Sequence, residues 1–166
     1  MNVFEYAMQM EKDGQEFYNK MAGQTENAVL KEILKNLAQD EVKHYNLFKK
    51  FRDGDSSAVA DLEASGSKAL ENARNVFQKL SEEPAPSGFS KDIMDTWKEA
   101  QKIEKKTEEF YREKAAEEKN GGIKKTILRI ADEEHKHWVL IENVIHFLSR
   151  PKQWLEDAEW NNMEQY

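Results

Sequence analysis

The chain has 166 residues, with 32 acidic against 25 basic side chains, a formal net charge of -7, three prolines and no cysteine. That length suits one domain, residues 1–166, with a sizeable core. Zero cysteine excludes disulfides, thiolate metal sites, iron–sulfur centres and a cysteine nucleophile, while the acidic balance argues against a nucleic-acid partner, which needs a basic patch.

Seven glycines and three prolines leave long runs of Glu, Lys, Ala, Leu and Met, so the expected class is all-α. A first helix is expected at about 2–23 and a second at about 26–52, ending at Asp53-Gly54. Residues 53–90 change character: DGDSSAVADLEASGS reads as a loop, KALENARNVFQKL as a short helix and SEEPAPSGFS as another loop. A 25-residue helix is about 38 Å long, and a connection of this length can return along all of it. A third helix runs from about 91, behind a Ser90 N-cap, to Asn120. Gly121-Gly122 breaks it before a fourth at about 123–149, which Pro151 stops. The tail, 150–166, carries Trp154 and Trp160 as a packing segment. The architecture expected is therefore a four-helix bundle of two hairpins, 2–52 and 91–149, joined by the crossover 53–90. The N-terminus lacks a basic start followed by an apolar run, and no stretch approaches the roughly 18 apolar residues of a membrane span. A cytoplasmic protein with no membrane contact is expected.

Compared with itself, the chain repeats. Residues 7–47 align without gaps on 100–140, an offset of 93, with 14 identities in 41 positions. The matches include Glu11 with Glu104, Phe17 with Phe110, Tyr18 with Tyr111, Ala38 with Ala131, Glu41 with Glu134 and His44 with His137.

Spacings of three and four set one seam per helix. The second helix gives Leu30, Leu34, Leu37, Glu41, His44, Phe48 and Phe51, and the fourth gives Ile123, Ile127, Ile130, Glu134, His137, Ile141 and Val144. The first gives Phe4, Ala7, Glu11, Gly14, Tyr18 and Met21, and the third gives Ile93, Trp97, Ala100, Glu104, Thr107 and Tyr111. Four glutamates are thus placed in the interior by apolar neighbours, with no Lys or Arg beside them on the seams. Burying a carboxylate costs several kcal/mol per ion, and like charges add repulsion. Two divalent metals would supply four positive charges, and carboxylate and imidazole suit iron, manganese or zinc. Glu41 with His44, and Glu134 with His137, lie three apart on their helices and can address one ion.

The chain here resembles the ferritin-like superfamily, and within it the rubrerythrin-like di-iron carboxylate proteins, over roughly 3–52 and 91–148. The first-helix pattern appears as EKDGQEFY at 11–18 and EKKTEEFY at 104–111, the second-helix pattern as LAQDEVKH and IADEEHKH. In ferritin-like bundles one Glu from each of two helices joins a Glu-x-x-His from each of the other two around a pair of metal ions. The resemblance implies a ferritin-like four-helix bundle with Glu11, Glu41, His44, Glu104, Glu134 and His137 as metal ligands. It also implies Tyr18 and Tyr111 as residues supporting those ligands. Two features differ from rubrerythrins proper: no cysteine-held rubredoxin iron, so an external electron-donor protein is expected, and Thr107 where an additional carboxylate is usual.

The remaining candidates are weighed more plainly. His135 lies off the seam and is expected to be exposed, and His146 to be structural or exposed. Asp40 and Glu133 either support the site or belong to a solvated face. Gly14 and Thr107 either leave room for a small oxidant or allow close packing. Met8, Met10 and Met21 are expected as core filler. The expected function is reduction of hydrogen peroxide or dioxygen at two iron ions in oxidative-stress defence, with a homodimer expected. Iron storage with ferroxidase activity, or a redox-silent metal-stabilised module, are the alternatives.

Overall fold

The structure, a computed structural model, describes residues 2–55, 57–64, 66–82, 89–149 and 151. Trp154 and Trp160, with the rest of the expected packing tail, lie outside the described residues. Among the described residues six helices follow in order: α1 Val3–Gln24, α2 Ala28–Arg52, α3 Ser57–Ala64, α4 Lys68–Glu82, α5 Lys91–Glu117 and α6 Gly121–Ser149. This is the expected all-α, ferritin-like bundle. The α1–α2 and α5–α6 pairs make the two hairpins, and α4 lies against α2 and α6.

Both hairpin turns use the same chemistry at the same repeat positions. Asn27 Oδ1 accepts from the amides of Val29 and Leu30, and Asn120 Oδ1 accepts from those of Gly122 and Ile123. Each asparagine therefore satisfies amides that the helix start leaves open. On the other side of the turns, the Thr25 amide donates to Ala22 O and the Glu118 amide to Ala115 O. The expected break at Gly121-Gly122 is corrected by this. The stop comes earlier, at Glu117, and the two glycines form the first turn of α6 behind the Asn120 cap. Helix α2 ends as expected. Gly54 has φ +75°, a left-handed value that glycine adopts at no steric cost. The Asp55 amide then reaches Lys50 O at 2.9 Å, which closes the last turn. Pro151, expected to stop the last helix, is itself in helical conformation and buried. What proline forbids is the hydrogen bond to the turn before it, not the φ value.

The described residues of the crossover hold two helices rather than the single short one expected. In α3, a stretch read as loop, Ala58 and Leu62 are buried, four residues apart on one face, and α3 packs on α2 and α6. In α4, Ala69, Ala73, Val76, Phe77 and Leu80 form a continuous buried face. Among the described residues, no helix is long and apolar enough to cross a membrane.

The core divides into two apolar clusters. One, which includes α4, gathers Tyr18, Leu30, Leu34, Leu37, Phe77, Trp97, Leu140 and Val144. The other gathers Ala7, Phe48, Phe51, Leu62, Tyr111, Ile127 and Ile130. Between them runs a layer of buried charge. The seams are interior nearly throughout; Ile93 departs, being 42% exposed at the mouth of α5.

Candidate metal centre

The four long helices each contribute to the layer between the two apolar clusters. Glu11 comes from α1, Glu41 and His44 from α2, Glu104 from α5, and Glu134 and His137 from α6. All six expected residues meet there, and none is more than 4% exposed. They fall into two overlapping groups: Glu11, Glu41, His44 and Glu134, and Glu41, Glu104, Glu134 and His137. Within each, one donor atom per residue lies within 4.8 Å of all the others. Glu41 and Glu134 belong to both groups. His44 Nδ1 is 3.6 Å from Glu11 Oε2 and 2.9 Å from Glu134 Oε1. His137 Nδ1 is 3.6 Å from Glu104 Oε1 and 3.4 Å from Glu134 Oε2. The two imidazole rings face each other at 27°, with centroids 6.2 Å apart.

Whether these groups suit metal ions is answered by their unmet hydrogen-bonding capacity. Among the described residues, the buried side-chain atoms with no hydrogen-bond partner are Glu11 Oε2, Glu41 Oε1, both Glu134 oxygens, and Nδ1 of His44 and His137. Every one belongs to the cluster. Such groups cost free energy when left unsatisfied, so native interiors seldom leave them so. Six turned to one place form a donor set for cations of the kind that carboxylate and imidazole hold. The residues fit a di-metal site.

The acid–base behaviour of the metal-free cluster agrees. Burial, reinforced by Glu104 and Glu11, pushes Glu134 up to about 8. Burial and the charges of Glu134, Glu11 and Glu104 raise Glu41 well above the usual carboxylate range. Burial opposes charge on both imidazoles, but Glu11 and Glu134 around His44, and Glu104 and Asp40 around His137, outweigh it and raise their pKa values. Carboxylates buried this close together thus draw protons to themselves and to the imidazoles beside them.

Around the cluster, four of the six donor residues have a supporting partner of their own. The Tyr18 hydroxyl of α1 donates to Glu104 of α5, and the Tyr111 hydroxyl of α5 donates to Glu11 of α1. Burial, then the neighbouring carboxylates, raises both phenols, so they remain donors. His44 Nε2 lies 2.7 Å from Glu133, and His137 Nε2 lies 2.9 Å from Asp40. An ionised carboxylate only accepts, so Nε2–H donates and Nδ1 is left to face the cluster. Asp40 and Glu133 are therefore supports rather than parts of a solvated face. Their contacts, together with charge from the same histidines, outweigh burial and hold Asp40 well below the usual carboxylate range and Glu133 at about 2.

Other expectations resolve as follows. His135 is exposed but bonded, its Nδ1 3.1 Å from Glu108, and His146 is exposed. Met8 and Met21 are core, and Met10 is half-buried. Thr107 turns its hydroxyl to Ile103 O of its own helix at 2.9 Å. Gly14 does not open a space for an oxidant: a Cβ there would come 2.8 Å from Glu41 Oε2, so the glycine admits the carboxylate itself. Gly14→Ala should consequently leave metal-free stability within about 1 kcal/mol of the native chain, because the clash with the buried Glu41 carboxylate opposes the better helix propensity of alanine. It should also weaken metal binding about tenfold by displacing Glu41. Thermal melts of the metal-free protein and calorimetric metal titration check both halves.

Neither a curated protein nor a solved structure matches the chain. A family model described as rubrerythrin matches residues 2–144, which takes in the first hairpin, the crossover, the second hairpin as far as Val144 and all six cluster residues. A four-helix bundle with paired Glu and Glu-x-x-His donors, matched over nearly its whole length by that model, belongs to the rubrerythrin family.

Proposed function

We propose that this chain holds two iron ions through Glu11, Glu41, His44, Glu104, Glu134 and His137, and reduces hydrogen peroxide there, with dioxygen as the alternative oxidant. The carrying observation is the set of six unpartnered donor atoms converging in a buried layer. What a bound ferrous pair supplies is two electrons together, which with two protons take hydrogen peroxide to two waters and leave two ferric ions. The chain's own residues prepare the place. Glu41 and Glu134 lie between the two groups of donors and serve both, while Glu11 with His44 and Glu104 with His137 each serve one. Tyr18 and Tyr111 fix Glu104 and Glu11 by donating to one oxygen of each, so the carboxylates need not reorganise as charge changes. The apolar clusters above and below exclude bulk water. Turnover requires the return of two electrons, and since the 166 residues contain no cysteine for a second iron centre, an electron-donor protein is the proposed source.

The test is anaerobic loading with ferrous iron followed by stepwise hydrogen peroxide, with ferric iron measured after each step. Oxidation should end at one peroxide per two irons, and renewed reductant should restore the reaction. Uptake of many irons per chain on repeated ferrous addition in air would favour storage. A site that binds zinc and leaves ferrous iron unoxidised would favour the structural module.

A further inference from the structure

Asp40 and Glu133 occupy equivalent positions in the two repeats, yet they are held differently. Glu133 receives, besides His44, the Lys43 ammonium at 3.2 Å. Asp40 receives, besides His137, three uncharged donors from the crossover: Ser67 Oγ at 2.5 Å, the Lys68 amide at 2.6 Å and the Ala69 amide at 3.2 Å. Ser67 Oγ also accepts from the Leu70 amide at 3.1 Å, so it caps α4 while donating to Asp40. The open amides at the start of α4 are thus satisfied by a carboxylate of α2 that at the same time orients a histidine of α6. Ser67 and Asp40 are 5% and 1% exposed, and Ser67 Oγ lies 3.5 Å from His137 Nε2. Lys43 ties in the same segment from the other side by donating to Gly66 O at 2.9 Å. Among the described residues, no second crossover segment repeats this at Glu133, so the internal symmetry of the centre ends at this contact.

We propose that the N-terminal turn of α4, through Ser67, is a positioning element of the metal centre, making the His137 half hold its ion more tightly than the His44 half. The reason is electrostatic and geometric. Three neutral donors fix Asp40 without cancelling its charge, so it both aims His137 and makes its Nδ1 a better electron donor. At Glu133 the ammonium of Lys43 offsets part of the charge that supports His44. The serine acts through Asp40 and touches no donor atom that faces the ions.

This inference rests on the proposed di-metal reading, and cobalt(II) titration of the full chain, followed by absorption and calorimetry, separates the two. The native chain should bind two ions in resolved steps. Ser67→Ala should weaken the tighter step about tenfold or more, within the range seen when supports of metal-bound histidines are removed, and leave the weaker step within about twofold. Ser67→Thr, which keeps the hydroxyl, should restore the tighter step. Against a His44→Ala background Ser67→Ala should retain its full effect, and against His137→Ala it should have none. Because a lost N-cap can also lower stability, circular dichroism is recorded on each variant, and Ser67→Thr keeps the result interpretable. If the native chain binds two ions and Ser67→Ala weakens both steps alike or neither, the positioning role is wrong. If the native chain binds no cobalt, the di-metal reading fails with it.

Discussion

Glu134→Ala and Glu41→Ala should each empty both halves of the centre, whereas Glu11→Ala and Glu104→Ala should each leave one ion per chain. The difference follows from membership. Glu41 and Glu134 lie within reach of both donor groups, but Glu11 stands only with His44 and Glu104 only with His137. Loss of a shared carboxylate removes a donor from each ion and half the negative charge that joins them. We expect binding to weaken by more than about 100-fold at both positions, beyond the 10–100-fold that follows from disturbing a supporting residue alone. Metal content per chain, after loading and desalting, reads the stoichiometry directly. Equal losses for all four glutamates would contradict the shared role of Glu41 and Glu134.

The second large effect is on stability. Four carboxylates within one layer, none more than 4% exposed, make the metal-free chain bear a desolvation cost that bound cations relieve. A ligand that binds only the folded state at 1,000 times its dissociation constant stabilises by about 4 kcal/mol, so two ions contribute roughly twice that. For a chain of this size each kcal/mol moves the midpoint by about 2–4 °C. Metal loading should therefore raise Tm by about 15 °C or more, and a chelator should reverse it. Glu134→Gln makes the point independently. Burial already pushes Glu134 up to about 8, so the amide resembles the protonated acid present at neutral pH. That variant should melt no lower than the native metal-free protein but should lose the metal-induced rise. A Tm indifferent to chelator would mean that the layer is stabilised without cations.

How much of this is written in the residues can be judged position by position. Glu41 and His44 interrupt an apolar seam of Leu30, Leu34, Leu37, Phe48 and Phe51. A helix that buries the seam must bury the pair, and the repeat at 134 and 137 makes chance a poor explanation. Both the bundle and the cluster are legible on that ground. The direction of Asp40 and Glu133 is not: a residue beside an inward glutamate can turn to solvent or to the next helix, and only the packed neighbour, His137 or His44, decides. Ser67 is harder still. It closes the stretch read as a loop, and its principal partner is a carboxylate 27 residues earlier. Helix α3 was hidden because Ser and Gly flank eight residues whose helical state depends on burying Ala58 and Leu62 against α2 and α6. Gly121-Gly122 reads as a breaker because glycine is a poor helix former, yet the Asn120 cap carries the first turn through it. Ile93 continues the seam in sequence into the first turn of α5, where the bundle covers only part of the side chain.

The most direct test of the central claim is native mass spectrometry of the 19.4 kDa chain after anaerobic loading with ferrous iron and exchange into volatile buffer. The account predicts a mass increment of two iron ions per chain, one ion in either His44→Ala or His137→Ala, and none in the double variant. An unloaded native chain, or two ions retained when both histidines are gone, would contradict it.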